Sequence, residues 1–330
     1  MKVLVTGATG FLGGWLVRRL LDEGHEVRII KRPQSSLDEI TNLKLDIKPG
    51  DVTDEASLIE ACRGMDSVFH LAGLVAYSKA QRAMMERVNI QGTSNVVQAC
   101  EKSGIRRLVH LSSVVAIGAS FDGKVPLNEQ SEFNIHHLNL GYFETKFEAE
   151  KIVKKACADG RLDAVIINPS TIYGSADAKK ESRRTQLKVA RGKFPLYPPG
   201  GVSVVAVEDV IDAIIAAWNK GKKGERYIVS GENLLIKDVF DIIAHEAGVK
   251  PPYIRLPRPV IFALGRIGDV MESMGKTGAL NTENAWTSVL YHWFDASKAQ
   301  RELGLKLKPA SYAIGQSVRW MKDNGLLNPV

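Results

Sequence analysis

The sequence predicts an α/β protein, a doubly wound parallel sheet followed by a smaller, mostly helical C-terminal lobe. Three observations carry that prediction. Short apolar runs of strand length alternate with segments of helical period, the pattern of a parallel sheet covered on both faces. The first run is closed by glycines spaced Gly7-x-x-Gly10-x-x-Gly13 just before a helical stretch. Beyond Gly174 the alternation loosens into helical segments punctuated by Pro251, Pro252, Pro257 and Pro259.

The elements follow in order. Lys2–Thr6 is short, apolar and stopped by Gly7, as a buried parallel strand should be. Phe11–Glu23 has helical periodicity and ends at Gly24, a residue suited to leaving a helix. Glu26–Ile30, Leu45–Ile47, Ser67–Leu71, Leu108–Ser112 and Ala164–Asn168 read as further strands. Ser57–Cys62, Arg82–Ser103 and Gly141–Ala158 read as the helices between them. Proline and glycine make 192–201 a loop, after which Val202–Val207 reads as a strand, Glu208–Trp218 as a helix and Arg226–Ser230 as a strand. The expected division is one domain of 1–174 plus 202–231 and a second lobe of 175–201 plus 232–330.

With 330 residues, 45% hydrophobic and 25% charged, the chain is neither disordered nor fibrous. The net charge is +7, but the positive residues are spread. The densest clusters are Arg28, Lys31 and Arg32, then Lys179, Lys180, Arg183 and Arg184. No block of five or six like charges argues for nucleic acid, and none is expected as a partner. Cys62, Cys100 and Cys157 form no metal or redox spacing and read as small buried hydrophobes, which suits a cytoplasmic protein. The first apolar run is too short for a signal peptide, and no transmembrane segment is expected. His70, His136 and His137 have no metal-ligand spacing, so no metal is expected. Arg255, Arg258 and Arg266 alternate with apolar residues, a pattern compatible with a membrane surface; peripheral membrane contact is nevertheless not the expectation drawn.

Two motifs carry chemistry. In the first, Gly7, Thr9, Gly10, Phe11, Leu12 and Gly13 form a strand-turn-helix whose glycines permit a close backbone approach. The helix N-terminus offers free N–H groups to a pyrophosphate, so a dinucleotide is the expected ligand. At the end of the second strand stand Lys31 and Arg32 with no acid, which suits a 2′-phosphate and favours NADP(H), with NAD(H) still possible. Asp51, beside Val52, is placed to accept from an adenine amino group, while Asp54 is better placed to cap the next helix. In the second motif, Tyr142 and Lys146 share one face of a helix at i and i+4. A neighbouring ammonium favours the ionised phenol and would lower its pKa towards the range of a general acid or base.

Together with His70-Leu71-Ala72-Gly73, Asn89-x-x-Gly92-Thr93-x-Asn95, Leu111-Ser112-Ser113, Asn168-Pro169-Ser170-Thr171-Ile172-Tyr173-Gly174 and Val207-Glu208-Asp209-Val210, these motifs resemble the extended short-chain dehydrogenase/reductases. Within that family the chain is similar to dihydroflavonol-reductase-like, hydroxysteroid-dehydrogenase-like and hopanoid-associated sugar-epimerase-like members. The resemblance implies a Rossmann-type NAD(P)-binding domain and a substrate-binding lobe. It implies Ser113, Tyr142, Lys146 and Asn89 as catalytic residues, Ser113 being preferred to Ser112 because Gly118 follows it by five. Tyr142 would be the acid/base, Lys146 would hold the nicotinamide ribose and lower the phenol pKa, and Asn89 would order the site. Leu71, Ala72 and Gly73 would pass beside the cofactor as backbone, Ser112 would lie near it, and Pro169 and Ser170 would flank the nicotinamide. Gly73 stands where the family often has alanine.

The implied activity is reduction of a ketone or aldehyde, or oxidation of the alcohol, on a relatively apolar small molecule; the alternative is a nucleotide-sugar epimerase. Sugar-nucleotide members usually carry an arginine seven residues before Asp209, where this chain has Val202; Arg191 is the nearby basic residue left to replace it. Val114 and Val115 occupy the place of a dehydratase acid. A redox-sensing binder without catalysis is disfavoured because the Tyr142–Lys146 pair is present. A homodimer through Arg82–Ser103 and Gly141–Ala158 is a family-level expectation.

Overall fold

The computed structural model describes residues 1–177, 183–276 and 280–327. Lys179 and Lys180 of the second basic cluster lie outside them. The large sheet is built from β1 (Lys2–Thr6), β2 (Glu26–Lys31), β3 (Asp46–Pro49), β4 (Ser67–His70), β5 (Arg107–Leu111) and β6 (Ala164–Pro169). Its seventh strand arrives later in the chain, after β7 (Thr171–Tyr173), β8 (Leu196–Tyr197) and β9 (Gly201–Ala206), as β10 (Arg226–Val229). The order is β3-β2-β1-β4-β5-β6-β10, parallel throughout.

Strand alternation sends successive side chains to opposite faces, and both faces are dry. Val3, Val5, Ile29, Phe69, Val109 and Ile167 pack under α1 (Phe11–Asp22) and, later in the chain, under α7 (Val207–Lys220). Leu4, Ile30, Val68, Leu108 and Ile166 pack on the other face. The helices there are α2 (Glu55–Cys62), α4 (Gly92–Lys102) and α5 (Gly141–Ala158). Cys62, Cys100 and Cys157 are free and buried. This is the doubly wound Rossmann-like fold. Its winding reverses between β1 and β4, where such sheets open a crevice at their carboxyl ends.

The segment expected as one helix over Arg82–Ser103 is not uniform. A short α3 (Arg82–Met85) widens into a π-helical stretch, Glu86–Gln91, before α4 resumes. The expected return segment 202–231 also divides. Arg226–Val229 joins the large sheet, whereas β9 lies in a second sheet between β11 (Glu232–Leu235) and β13 (Tyr291–His292), with β7 also paired to it. β8 pairs with β12 (Ile254–Arg255) inside the stretch expected to be loop.

Helices α6 (Arg184–Ala190), α8 (Ile236–Ala247) and α12 (Ala310–Asp323) close over the second sheet around Val204, Phe240, Ile243 and Ile314. Helix α9 (Arg258–Ser273) packs on α10 (Thr282–Val289), and α11 (Ser297–Leu303) covers the edge of the large sheet by β10. No described helix is long and apolar enough to cross a membrane.

Candidate active site

The glycine turn meets the demands of its spacing. Gly7 has φ +74°, and a methyl group there would lie 2.6 Å from the Ala72 nitrogen, so the β1 and β4 turns touch at this point. A methyl on Gly13 would sit 2.2 Å from the Gly7 carbonyl oxygen. Gly10 is exposed, and the first turn of α1 carries no acid and no side-chain cap. The first turn thus sets no negative charge against an anion at this helix N-terminus. The base of the crevice is pinned by a buried relay in which His70 links Thr6 (2.7 Å) to Thr93 (3.1 Å). Burial holds the His70 imidazole down at about 3, so it stays neutral. Ala72 N–H donates to the Thr6 hydroxyl at 3.3 Å, which fixes Leu71, Ala72 and Gly73 beside the turn.

At the end of β2, Arg32 is exposed while the Lys31 ammonium donates to the Pro33 carbonyl at 3.2 Å. Asp51 closes a local turn, accepting from Thr53 N–H and Oγ1, each at 2.9 Å, and Asp54 caps α2 through Ala56 N–H at 3.1 Å. Val52 is held by Asn95, whose amide donates to its carbonyl at 2.9 Å, and lies against Gly92.

Ser113, Tyr142, Lys146 and Asn89 converge beside the Gly73 turn. The Ser113 hydroxyl, which accepts from Val115 N–H at 3.4 Å, lies near enough to the Tyr142 phenol to favour its ionised form. Ser112 instead donates to Glu150 at 2.9 Å. The Lys146 ammonium donates to the Leu111 carbonyl at 2.9 Å. Asn89, placed by the π-helical turn, grips Leu74 at both backbone groups, accepting from its N–H (2.8 Å) and donating to its carbonyl (2.9 Å). It also donates to Thr145 at 3.1 Å. A methyl on Gly73 would stand 3.4 Å from Asn89 Oδ1 and 3.5 Å from Lys146 Nζ. Pro169 ends β6 and Ser170 follows it; the Ser170 hydroxyl is buried with no hydrogen-bond partner among the described residues. A helix N-terminus without an acid or a side-chain cap, a turn that admits only glycine and an orphaned Ser170 hydroxyl together fit a dinucleotide.

The electrostatics differ from the expected phenol lowered by an ammonium. Burial raises the Tyr142 phenol above its ordinary value, the neighbouring Tyr77 adds to the rise, and the nearby Ser113 hydroxyl opposes it. Burial also lowers the Lys146 amine to about 8. The spacing brings the two side chains onto one helix face, but both titrate as buried groups.

Sequence reasoning missed Glu150, which takes the Ser112, Asn168 (2.7 Å) and Arg226 (3.1 Å) hydrogen bonds and an ion pair with Lys154 at 2.8 Å. Burial raises its carboxyl, but Lys154 and Arg226 outweigh that and leave it lowered. The signal was available: Tyr142, Lys146 and Glu150 recur every four residues on one face.

Around Tyr142 lie Leu74, Ala76, Tyr77, Met85, Phe143, Leu290 and Trp286. The Tyr77 and Tyr142 rings meet edge-on at 5.9 Å. Of the late aromatic residues, Trp286 joins this cluster, while Phe294 packs with Ile228 and the Trp293 indole donates to the Leu234 carbonyl. Arg191 points away, its Nε donating to the Leu326 carbonyl at 2.8 Å. No group of three or more His, Cys, Asp or Glu residues suited to a metal occurs among the described residues.

A dinucleotide crevice at the switch point of a doubly wound sheet, with Ser, Tyr and Lys side chains at its rim, is the architecture of a nicotinamide-dependent oxidoreductase. Residues 3–230 match the NAD dependent epimerase/dehydratase family. The chain is 32% identical over 328 residues to a Synechocystis sp. protein provisionally named a dihydroflavonol 4-reductase, covering 97% of this chain and 94% of that one. It is 31% identical over 331 residues to sterol demethylase protein B of Methylococcus capsulatus, covering 99% and 100%. The crystal structure of gox2253 superposes with a TM-score of 0.88 at 31% identity, covering 99% of each chain. A nucleoside-diphosphate-sugar epimerase from Pseudomonas aeruginosa, at 23% identity and a TM-score of 0.80 over 99% of each chain, shares the fold. The chain belongs to the NAD-dependent epimerase/dehydratase family, the extended short-chain dehydrogenase/reductases. It is an NAD(P)-dependent enzyme acting on CH–OH or carbonyl groups.

Proposed function

We propose that the protein is an NADP(H)-dependent oxidoreductase that reduces a ketone or aldehyde of a relatively apolar small molecule, or oxidises the corresponding alcohol. Ser113, Tyr142 and Lys146 are its catalytic residues, and Asn89 orders the site. The observation that carries this reading is the apolar cluster around Tyr142. A sugar diphosphate would need cations there, yet Val202 replaces the usual arginine and Arg191 is engaged with Leu326. The reductase names of relatives such as the dihydroflavonol 4-reductase and tetraketide alpha-pyrone reductase 2 of Arabidopsis thaliana support the same direction.

The bound nicotinamide supplies and accepts the hydride. The protein's own groups handle the oxygen. Ser113 and Tyr142, set near each other, would offer two donors to one carbonyl oxygen, where negative charge grows as the carbon is reduced. A phenol held above its ordinary value stays protonated at neutral pH, so Tyr142 is loaded to deliver its proton to that oxygen. Lys146, held by the Leu111 carbonyl, and the Gly73 backbone, next to the Leu74 that Asn89 grips, would face the nicotinamide ribose. The exposed Arg32, with no acid at the end of β2, supports the NADP(H) preference. Three free, buried cysteines suit a cytoplasmic setting.

Purified protein given a panel of apolar ketones and NADPH, with reduced-nicotinamide absorbance followed, tests the reading. Net consumption supports it. Interconversion of a nucleotide sugar without net consumption would replace it with the epimerase. Arg32→Ala should weaken NADPH binding about tenfold and leave NADH binding unchanged, the cost of one exposed charge-assisted contact. Equal loss for both cofactors would remove the NADP(H) preference.

A further inference from the structure

Ser113 sits where strand β5 has already run out. The last ladder bond to β6 is made by Ser112, whose N–H donates to the Ile167 carbonyl at 2.8 Å. A single turn, Val114–Ala116, follows directly after Ser113. Beyond Ser112 a side chain of β6 carries the tie onward. Asn168 is fully buried, and its Nδ2 uses both hydrogens. One goes to the Ser113 carbonyl oxygen at 2.9 Å, the other to Glu150 Oε2 at 2.7 Å. A carbonyl and a carboxylate only accept, so the amide nitrogen has to face them.

The Ser112 hydroxyl donates to the same Glu150 oxygen at 2.9 Å. The other oxygen, Oε1, takes Arg226 at 3.1 Å and Lys154 at 2.8 Å. Arg226 is braced in its turn, Nε donating to the Glu129 carbonyl at 2.9 Å and Nη2 to the Ser131 carbonyl at 3.1 Å. The carboxylate thus divides its oxygens. One meets the cations that fix it, and the other meets the two groups that flank the Ser113 peptide. Glu150 is only 2% exposed. Burying a carboxylate is costly, and an apolar side chain of similar volume often packs there at no loss of stability. Packing alone therefore does not account for a glutamate at this place, whereas second-shell hydrogen bonds of this kind are what lock a reacting group in position.

We propose that Glu150 and Asn168 are positioning residues that hold Ser113 in place beside Tyr142, a role that rests on Ser113 being catalytic. The Glu150 carboxylate orients the Asn168 carboxamide, and the carboxamide fixes the Ser113 carbonyl and with it the direction of the Ser113 hydroxyl. A hydroxyl that must meet a developing oxyanion tolerates little displacement, and a shift of about 1 Å can cost on the order of a hundredfold in rate.

A double-mutant cycle separates positioning from plain support of the fold. Turnover is read with NADPH and the apolar ketone that the unaltered protein reduces fastest. Asn168→Ala should lower kcat about a hundredfold, with circular dichroism unchanged and KM and NADPH affinity within about twofold of the parent. In a Ser113→Ala background the same change should cost less than about threefold, because the group it places is gone. Glu150→Gln should lower kcat likewise. It also strands the Arg226 guanidinium and so endangers folding, whereas Asn168→Ala removes no charge and carries the test by itself. Parental kcat in Asn168→Ala, with turnover lost in Ser113→Ala, overturns the positioning role and leaves the catalytic reading standing. An undiminished loss from Asn168→Ala in the Ser113→Ala background overturns it too, since the amide would then act on something other than the serine. Full turnover in Ser113→Ala overturns both, by taking that hydroxyl out of the chemistry.

Discussion

Removing the Asn89 carboxamide is the most informative perturbation of the site. In Asn89→Ala three hydrogen bonds vanish, two to the Leu74 backbone and one to Thr145, at 2.8, 2.9 and 3.1 Å. Each contributes roughly 1 kcal/mol net, so the folded state should lose about 3 kcal/mol. For a domain of this size that lowers Tm by roughly 5–10 °C. The functional cost should be larger. Leu74 follows Gly73, whose Cα lies beside Lys146, and a shift of about 1 Å in a positioning loop can cost on the order of a hundredfold in rate. Urea unfolding gives the first number and steady-state reduction of any accepted ketone gives the second. Asn89→Asp is the discriminating companion: it keeps the acceptor for Leu74 N–H but sets a carboxylate oxygen against the Leu74 carbonyl, so it should be no better than alanine. An Asn89→Ala protein within about 0.5 kcal/mol of the parent, with unchanged turnover, would refute the claim that this side chain holds the loop.

Three further outcomes are expected. Tyr142→Phe should lower turnover about 10²–10⁴-fold while NADPH affinity, read by tryptophan fluorescence, stays unchanged; retained turnover would remove the phenol from the chemistry. Burial holds Lys146 at about 8 against an ordinary 10.5. Between those values the unfolded chain binds the extra proton, so stability should rise with pH across that window. In Lys146→Met that rise, on the order of 3 kcal/mol, should be absent, and equal urea midpoint shifts in both proteins between about pH 7 and pH 10 would contradict it. Gly13→Ala would set a methyl group 2.2 Å from the Gly7 carbonyl, so NADPH binding should weaken at least about tenfold and stability fall by about 1–3 kcal/mol; normal titration and unfolding curves would show that the turn tolerates a side chain.

The order of strands and helices was legible because the inner strands β1, β4, β5 and β6 are apolar runs buried on both faces, ended by a glycine or polar turn, whereas the edge strand β3 is largely exposed. Helix α5 was read to its ends for the same reason: Gly141 and Ala158 bound an uninterrupted helical period. The same apolarity misleads at β9. Gly201–Ala206 is almost as buried as the inner strands of the large sheet, so its composition does not say which sheet it joins. The π-helical turn around Asn89 inserts its extra residue without breaking the apolar face of Arg82–Ser103, so no local period reveals it. At the site, spacing places Tyr142 over Lys146 but carries no information about solvent. Burial, a property of the whole fold, sets the sign of the phenol's shift. Glu150 follows the same four-residue rule as Lys146, yet a glutamate on a helix reads as a surface charge until Arg226 arrives from 76 residues away to meet it.

That late arrival has a consequence for how the molecule is assembled. Because the strand bearing Arg226 enters the large sheet only after the chain has wandered through its second sheet, no single cut divides the protein into two self-sufficient pieces. A fragment ending at Gly174 would bare the flank of β6 and strand the Glu150 carboxylate without its guanidinium. The large sheet is thus completed by a strand that comes after the first strands of the second sheet, and a ribosome must have delivered Arg226, 76 residues beyond Glu150, before helix α5 finds this anchor.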